Sequence, residues 1–470
     1  MPEQEGPHRP GPAAPALPPA LAALHRDARE IFAQALRSSD IAAAFARRIR
    51  CRGRMLRIEE DGGAAAEEIP LPETVCCVAL GKAAVPMTLA LIRCLPPTVR
   101  LRGVCAAPSL PPAADAAEET GPAPEIEYFA GGHPLPNRES FRAAQAALRL
   151  LRGAEPECLA LFLISGGGSA LFELPAEEGI SLEDTAGFYS ALIGSGASIA
   201  EINTLRKQFS AVKGGRLAAA AGARPTLSIF VSDVPEGRLD ALSSGPTLPD
   251  LSLPAERREI LDRYAMEERF PPRVRAFFQA TAAATATHLP AGRSVTLLSN
   301  RDLLEAARRE AQARGYQVVE DNRCDDWDYR EAARYLLSRF HVLRAGGGRL
   351  CLLSGGEVTV RLNASPGTGG RNQQFALACA LELAAGPGAA GRLERMAMLS
   401  AGSDGVDGSS PAAGALADGA TVARARARGL DPEAALLAFD AYPLFAALGD
   451  AILTRPTGNN LRDLRIFLAG

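Results

Sequence analysis

Lysine is almost missing from this chain. Of its 51 lysine and arginine residues only three are lysine, Lys82, Lys207 and Lys213. Where a surface needs only a cation, this chain uses arginine. A lysine kept against that bias marks a place for a compact ammonium on a flexible stem rather than a planar fork. Close contact with phosphate oxygens during group transfer is one such place. Two of the three flank glycines, in Gly81-Lys82 and Lys213-Gly214-Gly215, and all three fall in Gly-rich or strongly polar stretches.

Other scarcities exclude whole classes. Aromatics make up 5%, with Trp327 the single tryptophan, and the basic residues are dispersed in a chain of net charge -3. That combination argues against a nucleic-acid surface. The nine cysteines include no C-x-x-C pair. Their odd number and spacing match neither a disulfide framework nor a zinc site. Several (Cys76, Cys77, Cys158, Cys351, Cys379) lie in apolar runs, where cysteine acts as a small hydrophobe. We therefore expect a reducing, cytoplasmic setting. No apolar stretch reaches membrane-spanning length; the best run, Cys158 to Ile164, stops at Ser165-Gly166-Gly167-Gly168. The first twenty residues hold seven prolines and no signal pattern, and residues 1–20 are expected to be a disordered leader.

At 470 residues and 47% apolar composition the chain calls for two domains with well-buried cores. Leu21 to about Arg50 reads as one helix, followed by a strand at Met55–Ile58. Apolar strands at Thr74–Leu80, Arg100–Ala106, Cys158–Ile164 and Thr226–Ser232 then alternate with helices at Lys82–Cys94, Asn137–Leu151, Leu182–Ile193 and Ile199–Ser210. This rhythm implies a mainly parallel sheet covered on both faces, an α/β fold. The charge-rich stretch Ala255–Thr287 marks the boundary, giving domains over residues 21–287 and 288–470. The second domain opens with a strand at Ser294–Leu298. In it Leu350–Leu353 and Val358–Leu362 read as strands paired about Gly355-Gly356, Gly370–Ala385 as a helix, and Pro411–Arg428 as helical.

Apolar strands here repeatedly end in small or polar residues, and in open α/β sheets ligands bind at the carboxyl ends of strands. Val78-Ala79-Leu80 ends at Gly81-Lys82. The strand to Ile164 ends at Ser165-Gly166-Gly167-Gly168-Ser169, where backbone N–H groups can converge on phosphate oxygens without Cβ hindrance. On a helix, Asn203, Arg206, Lys207 and Ser210 share one polar face, which we read as facing an anion. Asp233 ends one buried strand, and Asp404 and Asp407 another; carboxylates so placed suit Mg²⁺ held jointly with substrate phosphates. Glu357 follows a further strand end. Gly369-Gly370-Arg371-Asn372-Gln373-Gln374 opens a helix whose Arg371 can fork onto a carboxylate or phosphate. His133, in Gly132-His133-Pro134-Leu135-Pro136, could serve as a base but reads rather as a loop-shaping residue. Neither a Walker loop nor a Rossmann fingerprint occurs, which argues against P-loop hydrolysis and nicotinamide chemistry.

These segments together resemble the class II glycerate kinases, the glycerate 2-kinases of the MOFRL family. The matching pieces are Gly81 to Ala84, Gly131 to Pro136, Ser165 to Leu171, Asn203 to Leu217, Ser232 to Pro235 with Ser244 to Thr247, Ser354 to Glu357, Gly369 to Gln373, Ser403 to Gly408, and Pro456 to Asn460 with Asp463-Leu464. They run in family order along nearly all of the chain beyond the leader. The resemblance implies a Rossmann-like α/β/α N-terminal domain, a smaller α/β MOFRL domain and an active site in the cleft between them. It also implies ATP, Mg²⁺ and phosphorylation of D-glycerate at its 2-hydroxyl. The family's active-site Lys and Arg fall on Lys82 and Arg371. Gln208, where such proteins usually have His, Gln374, where an acid is usual, and Ser409-Ser410-Pro411, where Pro-Thr-Asp is typical, depart from the pattern beside the motif cores.

The expected roles follow. Gly81, the Ser165-to-Ser169 loop and the Lys213-Gly214-Gly215 turn would cradle ATP phosphates. Lys82 would contact the transferring phosphoryl, and Arg371 would clamp the glycerate carboxylate or the γ-phosphate. Asp233 and Asp404 would hold Mg²⁺, or one of them would accept the hydroxyl proton. Asn203, Arg206, Lys207, Glu357, Asn372 and Gln373 would line the ligand. A homodimer stays open, and neither nucleic acid nor membrane is expected as a partner. Two rival readings remain at this point: a hydroxypyruvate reductase and a non-catalytic phosphosugar-binding protein.

Overall fold

The computed structural model describes residues 17–59, 67–111, 123–281, 289, 292–385 and 395–470. Most of the expected leader, residues 1–16, lies outside them. The described residues form two compact units, one within 40–299 and 458–460, the other within 17–39, 300–457 and 461–470.

The first unit is built on six parallel strands in the order β6-β5-β4-β7-β8-β9. These are β4 (Thr74–Leu80), β5 (Arg100–Ala107), β6 (Glu125–Ala130), β7 (Leu159–Ser165), β8 (Thr226–Val231) and β9 (Gly292–Leu298). Every residue of β4, β7 and β8 is buried, as strands covered on both faces must be. A small antiparallel sheet, β1 (Ile49–Arg52), β2 (Met55–Ile58) and β3 (Glu67–Pro70), precedes them. From β4 the chain winds outward through β5 to β6, then returns beside β4 as β7 and winds the other way to β9. The order therefore reverses between β4 and β7, the position at which such sheets open a crevice for ligands. An aromatic cluster of Phe188, Phe209, Phe270, Phe277 and Phe278 packs the surrounding helices together.

The second unit is a mixed sheet, β10-β11-β15-β12-β13-β14. Its strands are β10 (Gln317–Glu320), β11 (Leu350–Gly355), β12 (Met396–Gly402), β13 (Gly414–Asp418), β14 (Ala451–Ile452) and β15 (Asp463–Ala469). The central β15 runs antiparallel to both β11 and β12, so its first residue, Asp463, lies at the same edge as their last. Helices Tyr329–Arg344 and Arg371–Ala385 bury Leu336, Phe340, Phe375 and Leu377 against Leu352, Met398 and Phe467.

Several expectations are corrected. The helix expected from Leu21 to Arg50 breaks at Ser39-Asp40, where the Asp40 carboxylate accepts the Ala43 N–H and starts a new helix, Ile41–Arg48. The first half, Pro19–Ser38, belongs to the second unit, not the first. Conversely, Ser294–Leu298, expected to open the second domain, completes the first sheet as β9. Val358–Leu362 is no strand; only Thr359 makes a bridge, to Asp328. Gly414–Asp418, expected to be helical, is β13.

Buried polar bonds tie the first helix to its unit. His25 Nε2 lies 2.8 Å from Asp418 Oδ2, and its Nδ1 3.7 Å from Asp450 Oδ1. Arg424 also reaches Asp450. Removing one partner leaves the others buried and under-bonded. We expect His25→Ala to cost about 1–3 kcal/mol. The single tryptophan, Trp327, sits in this unit, so the loss should lower the urea midpoint followed by its fluorescence; an unmoved midpoint would contradict the latch.

Candidate active site

The β4–β7 reversal is where the sequence placed its lysine and its glycine loop, and the backbone there is tightly locked. The Lys82 N–H donates to Gly166 O at 2.8 Å, the Ala83 N–H to Ser165 Oγ at 2.9 Å, and Ser243 Oγ to Ser165 O at 2.7 Å. Gly81 has φ of +110° and would, with a Cβ, meet Ser165 O and Oγ at 2.4 Å. A Cβ on Gly166 would come within 1.7 Å of Asp233 Oδ2. Glycine is thus required by close approach at both positions. Among the described residues no acceptor takes the N–H groups of Gly167 and Gly168.

Lys82 lies across this loop. A methyl group at Gly167 would sit 3.1 Å from Lys82 Cγ and 3.5 Å from His133 Cδ2. Its ammonium is exposed and has no carboxylate partner among the described residues, whereas Lys207 and Lys213 are both paired. Burial, reinforced by the nearby Lys82 and Arg206 cations, holds His133 below the usual imidazole pKa. Arg206, itself buried, stacks over the Tyr189 ring at 4.6 Å and leaves its Nε without a hydrogen-bond partner. Ser169 Oγ stands 2.8 Å from Ser244 Oγ, which donates to Asn203 Oδ1 at 2.9 Å. Asn460 Nδ2 donates to Asp233 Oδ2 at 3.3 Å.

The Lys213-Gly214-Gly215 turn is not a phosphate cradle. The N–H groups of Gly214 and Gly215 are taken by Ser244 O at 3.2 Å and Gly245 O at 2.8 Å. The Lys213 side chain is 1% exposed, and its Nζ bonds Glu173 Oε2 and Phe172 O, each at 3.0 Å. Burial lowers its pKa, with Glu173 opposing. Tyr189 OH contacts the same Glu173 oxygen and reaches Ser169 O at 2.6 Å. This lysine therefore braces the glycine loop from below. Lys207 is likewise engaged, with Asp240 Oδ2 at 3.0 Å. Because a single partner removed from a buried ion pair leaves an uncompensated charge, Lys213→Met should cost about 3–5 kcal/mol, and Glu173→Gln in the same chain should recover most of it. Urea unfolding followed by circular dichroism decides; a loss well below that range would show the pair to be incidental.

In the second unit the expected residues gather where β11, β12 and β15 meet. Arg371 donates from Nε to Asp463 Oδ2 at 2.7 Å and from Nη2 to Oδ1 at 3.0 Å, with Glu357 Oε1 at 2.8 Å from the same Nη2. Burial works against its charge, but Asp463 and then Glu357 raise its pKa. Only Nη1 is left without a partner among the described residues. The Glu357 loop is held by Arg465, whose guanidinium reaches Gly355 O and Gly356 O, and by Asp325, which accepts the Glu357 N–H. Asp404 Oδ1 accepts the Val406 N–H at 3.2 Å in its own turn.

Asn372 and Gln373 are not ligand-facing. Both are buried, and Asp407 takes their backbone N–H groups at 3.0 and 2.9 Å, capping the helix Arg371–Ala385. Their side chains bond Asp407, Ser400 and Ser410. Burial pushes the Asp407 carboxyl up to about 6, against the pull of those two N–H groups. A native pKa above the unfolded one means that the folded protein binds a proton that the unfolded chain has released, from about pH 4 to 6. Stability should therefore fall as pH rises through that window, by about 2–3 kcal/mol. Asp407→Asn should remove this slope; equal slopes in the two proteins would refute the assignment.

Sequence reasoning read His133 as loop-shaping and missed Glu173, Tyr189, Ser243 and Asp240, which no local motif marks. Among the described residues no group of three or more His, Cys, Asp or Glu is arranged to hold a metal, and none of their helices is long and apolar enough to cross a membrane.

Fold and strand-end chemistry define a two-unit α/β protein whose first sheet carries Lys82 and a glycine loop at its switch point. Residues 27–279 match the family described as a domain of unknown function, DUF4147, and residues 350–463 match the MOFRL family. A D-glycerate 2-kinase from Thermotoga maritima is 35% identical over 84% of this chain and 91% of its own length. A solved glycerate kinase structure from the same organism aligns with a TM-score of 0.78 and 31% identity, covering 96% of this chain and all of that one. A further relative, from Agrobacterium vitis, is 35% identical over 74% of this chain and 78% of its own, and is provisionally named a hydroxypyruvate reductase. The chain belongs to the DUF4147–MOFRL family of glycerate 2-kinases.

Proposed function

We infer that this protein phosphorylates D-glycerate at its 2-hydroxyl, with ATP as phosphoryl donor and Mg²⁺ as companion ion. The observation that carries the reading is Lys82, the one lysine without a carboxylate partner among the described residues, lying across a glycine loop with open N–H groups. The names of the relatives supply the substrate and the position phosphorylated.

In-line phosphoryl transfer asks the protein mainly for positioning and charge stabilisation. The Gly167 and Gly168 N–H groups hold phosphate oxygens. Lys82 contacts the transferring phosphoryl, and its flexible stem lets the ammonium follow the shifting charge. Arg371, with Nη1 still available, binds the glycerate carboxylate or the γ-phosphate, its plane fixed by Asp463. Mg²⁺ shared with substrate phosphates needs only one or two protein carboxylates. Asp233, pressed against Gly166, fits that demand, and Asp404 is the second candidate. Bound there, the ion would neutralise phosphate charge. One of these two carboxylates accepts the hydroxyl proton if the other holds the ion.

Release of ADP, coupled to a spectroscopic readout with D-glycerate as acceptor, tests the assignment. Lys82→Ala should lower kcat by about 10²–10³-fold or more with an unchanged circular dichroism spectrum, and Lys82→Arg should not restore it. Near wild-type turnover in Lys82→Ala would sink the role given to this residue. NADH oxidation with hydroxypyruvate and no ATP would favour the reductase instead, and ligand binding without ADP release a binding protein.

A further inference from the structure

The first unit holds a reactive pair that phosphoryl transfer does not use. Cys51 lies in β1, and Cys94 ends the helix Ala84–Cys94 that follows Lys82. Their Sγ atoms are 3.5 Å apart, and Cys94 Sγ is also 3.5 Å from Ile49 O. All nine cysteines are free thiols; these two are partly exposed and the other seven are buried. Proximity and access therefore coincide at one pair only. Cys76 and Cys158 also interact, but both are buried inside a core cluster.

We propose that Cys51 and Cys94 form a reversible intramolecular disulfide when the protein meets a hydroperoxide. Sulfur atoms at 3.5 Å are in contact, and a bond of about 2.05 Å needs only side-chain rotation and a small shift of the strand or helix end. The two thiols are unequal. The hydrogen bond from Cys51 holds Cys94 below its usual pKa against the opposing effect of burial, while that same bond and burial hold Cys51 above. Cys94 is accordingly the attacking thiolate. It attacks one peroxide oxygen, the O–O bond breaks, and a sulfenic acid forms at Cys94 as the other oxygen leaves as water or an alcohol. The Cys51 thiol then attacks that sulfur, the S–S bond forms, and the sulfenic oxygen leaves as water. The peroxide accepts two electrons and the two sulfurs supply them. The bridge closes a loop between positions 43 residues apart, tying the small sheet to the far end of the helix behind Lys82.

The test uses the reduced full-length protein and hydrogen peroxide at equimolar amounts. Two thiols should be lost in a dithionitrobenzoate titration, the intact mass should fall by about 2 Da, and peptide mapping should join Cys51 to Cys94. Dithiothreitol should restore both thiols. The oxidised form should melt higher, on the order of 5 °C. Cys51→Ser should leave a Cys94 sulfenic acid trapped by dimedone, whereas Cys94→Ser should leave Cys51 unlabelled. A bridge at another pair, Cys94 driven to sulfinic acid in the wild type without a bridge, or nine surviving thiols would each overturn the proposal. None of these readouts depends on kinase activity.

Discussion

The candidate site rests on the contact between two strand ends. Ser165 closes β7, and its hydroxyl and carbonyl anchor the turn after β4 and Ser243. Gly81 and Gly166 are bare at that point because any side chain would collide with Ser165 or Asp233. A crevice at a sheet's reversal is a general property of the fold. What is particular here is that the turn after β4 packs backbone to backbone on the glycine loop, the Lys82 N–H donating to Gly166 O.

The three lysines divide the labour of cations in the first unit. Lys213 is buried and paired with Glu173, Lys207 pairs with Asp240, and Lys82 has no carboxylate partner among the described residues. The second unit reaches a comparable end by different means. There Arg371 is pinned by carboxylates, Asp407 caps its helix, and Arg465 holds the carbonyls of the Glu357 loop. Arg371 is thus oriented by Asp463 and Glu357, whereas the Lys82 ammonium has no carboxylate partner among the described residues.

How far the sequence could be read depends on where each residue's partner lies. The buried strands Thr74–Leu80 and Leu159–Ser165 and the helix Leu182–Ile193 were legible, because continuous apolar runs and an N-cap at Ser181 specify them locally. The same holds for the placement of Gly81-Lys82 and the Ser165 loop at the ends of β4 and β7. Glu125–Ala130 escaped notice because an edge strand alternates charged and apolar residues. The Ala-rich β13 read as helix because alanine favours helices until tertiary pairing overrides it. Lys213 was misread because Glu173, forty positions away, cannot be seen from its own motif. Asn372 and Gln373 were misread for the same reason, their partner being Asp407.

The helix Pro19–Ser38 buries Leu24, Ala28, Ile31 and Phe32 but belongs with strands that begin only after residue 300. Roughly 260 residues must leave the ribosome before its apolar stripe has anything to cover it. At about 5–20 residues per second, that exposure lasts on the order of ten seconds to a minute. The nascent chain thus carries an uncovered apolar stripe throughout synthesis of the other unit.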